Sequence, residues 1–172
     1  MKVLFTALVV WSSCVALAQT TMHNDCLLLY TDSLTDQDGY KNKAGQLIIP
    51  LGKYPRCFTP KFTNYAIVVA PNGKNFIAIN RKEEVLYEVY VFDNGPDYPA
   101  EGLFRIIINQ KIGYANARTG AIVIPPIYDC ATPFSKGIAH VAVGCKTIAE
   151  GEHSYWTDGL QSYINKKGKR VK

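Results

Sequence analysis

The chain has 172 residues, of which 48% are hydrophobic and 19% charged, and its formal net charge is +5. This length is enough for one domain with a buried core. The basic excess is modest, and no stripe of Lys or Arg is interleaved with aromatic residues, so we expect no nucleic acid among the partners.

Residues 1–18 have the pattern of a secretory signal peptide. Lys2 precedes an apolar run that is too short to span a bilayer, since a membrane helix needs about 20 apolar residues. The letters "ALA" before Gln19 are typical of a cleavage site, so we expect export to the periplasm or the extracellular space. Lipoprotein processing at Cys14 and an N-terminal core strand are the alternatives. No other apolar run is long enough to predict a membrane span.

Similar stretches recur at a spacing of about 36 residues. "GYKNKAGQLIIP" begins at Gly39, "GYANARTGAIVIPP" at Gly113 and "QSYINKKGKRV" at Gln161, and "FIAINRKEEVLYEV" at Phe76 is a degenerate copy. All four copies keep an Asn, and the marker residues are Asn42, Asn80, Asn116 and Asn165. A second marker is a turn residue before an alternating apolar run, at Tyr65, Gly102 and Gly137. The two markers together indicate a true repeat.

Within one copy, the pattern predicts short strands joined by tight turns. "GYANA" alternates, "RTG" is a turn in which Gly120 accepts a positive φ, and "AIVIP" is a β-branched run that ends at Pro125. No helical periodicity is present. We therefore predict an all-β fold of tandem antiparallel β-hairpin repeats, which form a curved sheet, a partial propeller or a solenoid-like array. The predicted segments are an N-terminal cap at 19–38 and units at 39–75, 76–112, 113–159 and 160–172, the last one partial.

The segment "GLFRI…KIGYAN…TGAIVIPPIYD…PFSKGIAHV", from Gly102 to Val141, resembles the WG-repeat proteins. That family has tandem units of about 35 residues with Trp-Gly-Tyr-Ile-Asp/Asn, Lys-x-Gly, an apolar run, Pro, Tyr-Asp and Phe-x-x-Gly-x-Ala-x-Val. The resemblance extends over residues 39–172, although Ile112 stands here in place of the Trp of the Trp-Gly pair. It implies an exported or surface-associated bacterial β-repeat protein, usually without assigned chemistry, and therefore an interaction module.

Asp129, Cys130 and His140 are the residue types of a cysteine nucleophile with its base and orienting acid. The other copies of the repeat test whether these residues act together, because "RCFTPKF" aligns with "DCATPF". The equivalents in the other copies are Cys57 for the Cys, Ile67 and Arg105 for the His, and Arg56 for the Asp. The Cys recurs without its supposed partners, so we predict a structural position and no catalytic residue.

The interval between the last two markers exceeds the period, and the excess lies in "KTIAEGEHSYWTDG", residues 146–159. We interpret this insertion as a loop, and loops on a rigid scaffold often carry function. The predicted ligand-binding residues are His153, Tyr155, Trp156 and Asp158. A solvated loop with its Trp packed on the sheet is the alternative. Glu150, Glu152 and His153 together have the residue types of a metal site, but such residues cluster by chance in polar loops, so we expect no metal and no cofactor.

Five Cys are present, and four remain once residues 1–18 are removed. An even number in an oxidising compartment indicates two disulfides. The intervening "SKG" turn brings Cys130 and Cys145 onto adjacent strands, so we predict that pair, which leaves Cys26 for Cys57. Free thiols and the other pairings are the alternatives.

Three functions fit these patterns. The first is an exported, non-enzymatic module that binds a protein, a peptide or a glycan. The second is a structural or assembly protein that acts through a sheet edge. The third is a hydrolase that uses carboxylates of residues 146–159. No phosphate-binding Gly loop, Gly-x-Ser-x-Gly or His-Glu-x-x-His is present to favour an enzyme.

Overall fold

The computed structural model describes residues 26–150 and 153–171, so the predicted signal peptide at 1–18 lies outside the described residues. Within the described ranges the chain forms eighteen β-strands and no helix, which confirms the all-β prediction. None of the described residues belongs to a helix that is long and apolar enough to cross a membrane.

The strands fall into four three-stranded antiparallel meanders with short strands between them. The first meander is β1 (Leu27–Thr31), β2 (Asp38–Lys41) and β3 (Leu47–Ile49), followed by β4 (Lys61–Phe62). The second is β5 (Tyr65–Val69), β6 (Phe76–Asn80) and β7 (Val85–Val89), followed by β8 (Val91–Phe92) and β9 (Gly95–Pro96). The third is β10 (Leu103–Ile108), β11 (Lys111–Asn116) and β12 (Ile122–Tyr128), followed by β13 (Cys130–Ala131). The fourth begins with β14 (Ile138–Val143), is interrupted by β15 (Lys146–Glu150) and β16 (His153–Thr157), and ends with β17 (Leu160–Asn165) and β18 (Arg170–Val171).

The meanders assemble into three larger sheets. The second and third share one six-stranded sheet, in the order β12-β11-β10-β7-β6-β5, because β7 pairs with β10. The first meander forms a four-stranded sheet with β4, and the fourth forms another with β13. Three clusters of buried apolar side chains lie along the chain, and each of them is formed by two successive meanders. The hairpins β8–β9 and β15–β16 are separate two-stranded sheets.

The marker Asn of each repeat has a local structural role. It ends the middle strand of its meander, or directly follows it, and its side-chain oxygen accepts a backbone N–H of the turn. The donors are Gln46, Glu84, Thr119 and Lys169, at 2.9 to 3.1 Å. An Asn that bonds its own downstream backbone stabilises a tight turn. In the degenerate copy, Glu83 occupies the Gly position of this turn with a φ of 63°.

The Gly-Tyr pair of two copies is a packing motif. A Cβ on Gly39 would meet the carbonyl oxygen of Ile49 at 2.7 Å, and one on Gly113 would meet that of Ile124 at 2.5 Å, so the third strand passes too close for any side chain. The following Tyr is fully buried in both copies. Its hydroxyl donates a hydrogen bond to a Thr carbonyl, and its ring packs edge-on against a Phe. In the first copy Tyr40 contacts Thr59 and Phe62 in this way. In the other copy Tyr114 contacts Thr132 and Phe134.

The second marker is displaced by one residue in one copy. Tyr65, Leu103 and Ile138 stand opposite the marker Asn of the next strand, so Tyr65 is equivalent to the first strand residue of the other copies. Gly102 and Gly137 precede that position and take positive φ values in tight turns. The prediction of Tyr65 as a turn residue was therefore wrong, because alternation alone does not define where a strand begins.

One of the two predicted disulfides is present. Cys130 and Cys145 are bonded, with their Cα atoms 6.3 Å apart, whereas Cys26 and Cys57 are free, so the second predicted pair was wrong. Cys57 is buried in the first core, to which Leu27 also contributes. Cys26, which precedes β1, is half-buried and does not belong to that core.

The insertion at 146–159 is not an irregular loop. β15 and β16 pair in antiparallel register from Lys146 opposite Thr157 to Glu150 opposite His153. Each strand contains β-branched or aromatic residues, which favour extended structure and pack across the hairpin. The insertion therefore projects from the turn between β14 and β17 as a regular hairpin.

Candidate ligand-binding cleft

The two small hairpins lie on either side of a cavity of about 540 Å³. We call it the interhairpin cleft. Val91, Phe92 and Asp93 of β8–β9 line one side, and Tyr155 and Trp156 of β15–β16 line the other. Its floor includes Tyr90, Arg105, Thr132 and His140, with Gln161 at the edge. Its volume lies in the range of roughly 300–1,000 Å³ that is usual for small-molecule sites.

Arg105 and His140 of the floor come from one repeat position. The backbone N–H of Ile67 donates to the Thr59 hydroxyl at 2.9 Å, and that of His140 donates to the Thr132 hydroxyl at 3.0 Å. The N–H of Arg105 donates instead to an Asp97 carboxylate oxygen at 2.8 Å. The sequence alignment of Ile67, Arg105 and His140 is thus consistent with the hydrogen bonds. The repeat supplies the backbone position and each copy supplies its own side chain.

Arg105 is a buried cation with a complete counter-charge. Its Nε and one terminal nitrogen donate to both carboxylate oxygens of Asp97, and its other terminal nitrogen donates to the carbonyl of Ala131 at 3.0 Å. The two side chains are 6% and 2% exposed. The guanidinium lies 4.0 Å from the centroid of the Tyr90 ring. This two-point pairing holds the guanidinium plane rigidly in the floor.

His140 forms a stack with two aromatic rings. Its centroid lies 4.8 Å from the Tyr163 ring, directly opposite on β17, and 5.0 Å from the Trp156 ring of the inserted hairpin. These separations are typical of favourable aromatic contacts. The imidazole therefore fixes Trp156 against the sheet, and the insertion is packed onto the fold through this contact.

The disulfide lies at the base of the same hairpin. Cys145 immediately precedes β15, and the sulfur of its partner Cys130 lies 3.8 Å from the Thr147 hydroxyl. Cys130 thus has no thiolate for nucleophilic chemistry in this state. Asp129 accepts hydrogen bonds from the Gly144 N–H and the Lys111 ammonium, and these bonds lower the pKa of its carboxyl. In this state the Cys of the sequence motif is held in the disulfide, and the Asp is bonded to Lys111 and Gly144.

The predicted binding residues have different positions. Tyr155 and Trp156 line the cleft, whereas Asp158 lies in the turn after β16, exposed and with a φ of 61°. The side chain of His153 is outside the described part of the structure, as is Glu152, so the metal alternative depends on groups that are not described. Among the described residues, no cluster of three or more His, Cys, Asp or Glu side chains is arranged to hold a metal ion.

Sequence reasoning missed the other wall of the cleft. Phe92 and Asp93 belong to "VFDNGP", in which Asp93 and Asn94 have φ values of 49° and 61°. An Asn-Gly pair between short apolar runs is a strong hairpin signal, and it was available in the sequence. Arg105 was aligned with His140 by the repeat, but its place in a shared floor follows only from the packing of two meanders.

Residues 112–144 match the family model of the WG containing repeat. The chain contains a WG repeat. This WG repeat begins in β11 and ends just after β14, so it includes the Gly113-Tyr114 packing pair, Cys130 and His140. The prediction of a WG-type repeat, made from the residues, is thereby confirmed for residues 112–144. Comparisons with curated proteins and with solved structures give no match.

Proposed function

We propose that the protein is an exported, non-enzymatic WG-repeat module that binds its ligand in the interhairpin cleft, at the bacterial envelope or outside the cell. The observation that carries this proposal is the cleft itself. Two hairpins that interrupt the repeat converge on one cavity, and both supply exposed aromatic side chains to it, with Phe92 at 49% and Tyr155 at 47% exposure. Aromatic rings that are held rigidly at a concave surface are frequent contact residues for ligands.

Export is supported by the pattern of residues 1–18 and by the disulfide, since structural disulfides persist mainly in oxidising compartments. N-terminal sequencing of the protein recovered from outside the cytoplasm tests this part of the proposal. We expect the mature chain to begin at Gln19. A mature chain that retains residues 1–18 in the cytoplasm would contradict export.

A hydrolase in the insertion is not favoured by the hairpin geometry. Glu150 ends β15 at the tip, whereas Asp158 follows β16 at the base. The strand between them is about 15 Å long at roughly 3.4 Å per residue. Paired carboxylates of glycosidases stand about 5–9.5 Å apart. The binding proposal requires no such pair.

Assembly through a sheet edge is the second candidate, because β12 ends the six-stranded sheet, whereas residues 56–58 are hydrogen-bonded to β5 at the other end. An unpaired edge can take up a strand from another chain. Light scattering of the purified protein separates the two proposals. A concentration-dependent oligomer that is abolished by a Pro at the edge would favour assembly, and a monomer would favour the cleft.

The binding proposal is tested by protein-observed NMR with the ¹⁵N-labelled exported protein. The library contains neutral and anionic oligosaccharides and proline-rich and charged peptides. We expect at least one class to shift the indole N–H of Trp156 and the backbone N–H of Phe92 together. Shifts confined to other surfaces, or no shifts with any class, would refute the cleft as the binding site.

A further inference from the structure

The electrostatics of the interhairpin cleft identify the kind of ligand it accepts. Asp97 neutralises Arg105, and among the described lining residues no other Lys or Arg is present. An anion such as a phosphate or a sulfated chain would meet the carboxylate of Asp93 without a free cation to balance it. The cleft therefore disfavours anionic ligands.

Each wall of the cleft contains an aromatic ring that is packed against a second ring of the protein. Phe92 packs edge-on against Tyr98 at 6.4 Å between centroids, and Trp156 packs on His140. Neither ring has to be ordered when a ligand arrives, so little side-chain entropy is lost on binding. A ligand with flat C–H surfaces can be held between the two walls.

Polar groups alternate with these rings and include both donors and acceptors. Asp93 is an exposed acceptor that receives no hydrogen bond from the residues that the structure describes, and Gln161 provides an amide. The terminal guanidinium nitrogens of Arg105 each have a further N–H beyond the bonds to Asp97 and Ala131. A ligand that satisfies all three must donate and accept hydrogen bonds at several points.

From this combination we infer that the interhairpin cleft binds a neutral saccharide, with ring faces on Phe92 and Trp156 and hydroxyl groups on Asp93 and Gln161. The inference rests on the proposed binding function. A proline-rich peptide would also pack on the rings, but its prolines have no N–H to donate. Its prolines would therefore offer the Asp93 carboxylate no hydrogen bond. A sugar hydroxyl both donates and accepts.

The test is calorimetric titration of the exported protein with four probes. These are the neutral hexasaccharides of β-1,4-glucose, β-1,4-N-acetylglucosamine and α-1,4-glucose, and a proline-rich decapeptide. We expect at least one saccharide to bind. Trp156→Ala and Asp93→Ala should each weaken that binding about tenfold or more, since both remove a central contact. Tyr30→Ala is the matched control, because Tyr30 is an exposed aromatic residue of β1 that contacts Lys41 and does not line the cleft.

Thermal unfolding of each variant separates lost binding from lost folding. Trp11 lies in residues 1–18, so Trp156 is the one Trp expected in the mature chain, and its fluorescence reports occupancy of the cleft directly. Binding of the peptide in the cleft without any saccharide would overturn the inference and leave the binding function intact. Saccharide binding that survives Trp156→Ala would also overturn it. If neither these probes nor the NMR library bind, both proposals fail.

Discussion

Replacing Asp97 by Ala removes the carboxylate that neutralises the buried Arg105 guanidinium. The carboxylate accepts three hydrogen bonds from Arg105, two from the side chain and one from the backbone. Both side chains are at least nine-tenths buried. The variant therefore leaves a buried cation whose remaining protein acceptor is the carbonyl of Ala131.

Breaking a buried pair by removal of one partner costs about 3–5 kcal/mol, because the other charge stays desolvated. The lost acceptor for the Arg105 backbone N–H adds to that cost. Domains of this size are stable by about 5–15 kcal/mol, so the change removes a large part of the total. With a urea slope of about 2 kcal/mol/M, the unfolding midpoint should fall by about 2 M.

The assay is urea unfolding without reductant, followed by circular dichroism. The control is the double variant Asp97→Ala/Arg105→Met, which removes the cation as well and keeps an apolar side chain of similar length. Because replacement of a buried ion pair by apolar groups is often neutral, the double variant should be more stable than the Asp97→Ala single variant. A single variant that costs under about 1 kcal/mol, or a double variant that is less stable than the single, would refute this account of the pair.

Three further predictions concern the repeat and the core. Gly113→Ala should destabilise the chain by about 1–3 kcal/mol in urea unfolding, because the added Cβ would overlap the backbone of β12. Gly95→Ala is the control and should be close to neutral, because a Cβ there would lie 3.8 Å from its nearest neighbour, the carbonyl oxygen of Phe92. Equal costs would contradict the packing explanation. Tyr114→Phe should cost about 1–2 kcal/mol in the same assay, since it removes the 2.7 Å hydrogen bond to Thr132, and an unchanged midpoint would show that this bond contributes nothing. Burial raises the pKa of the Cys57 thiol to about 12, above its unfolded value of about 9, so the stability that the protonated thiol provides below pH 9 is lost as the pH rises towards 12. Cys57→Ala should flatten that part of the pH profile of the urea midpoint, and two parallel profiles would contradict the assignment.

Several elements were predictable because their causes are local. The marker Asn residues recur since each one bonds the backbone of its own turn, and the Gly-Tyr pair recurs since the third strand of its meander passes directly over the Gly. The bond between Cys130 and Cys145 was predictable because the chain reverses between them. The pairing of Cys26 with Cys57 failed because the face on which a side chain lies depends on the strand register, which spacing does not report.

The candidate site was predictable only in part. Tyr155 and Trp156 were found because the insertion breaks the period, but the insertion was taken for a loop and its opposite wall at Phe92 was missed. Asp158 was included by proximity in sequence, although it follows β16 and does not line the cleft. A site formed by two hairpins that are separated by residues 97–145 has no signature in either segment alone.

By itself the sequence determined the β-repeat, its period, its Asn-marked turns, its WG-type motif and one disulfide, since each follows from contacts within a unit or between neighbouring strands. The tertiary structure alone decided which side chains of the different units come together to form the cleft. One repeat position carries Ile67, Arg105 and His140 in successive copies, and only the packing of the third meander against the fourth brings the Arg and the His to a common floor. The physical reason is that repetition specifies the backbone, whereas a binding site needs side chains from different copies to converge.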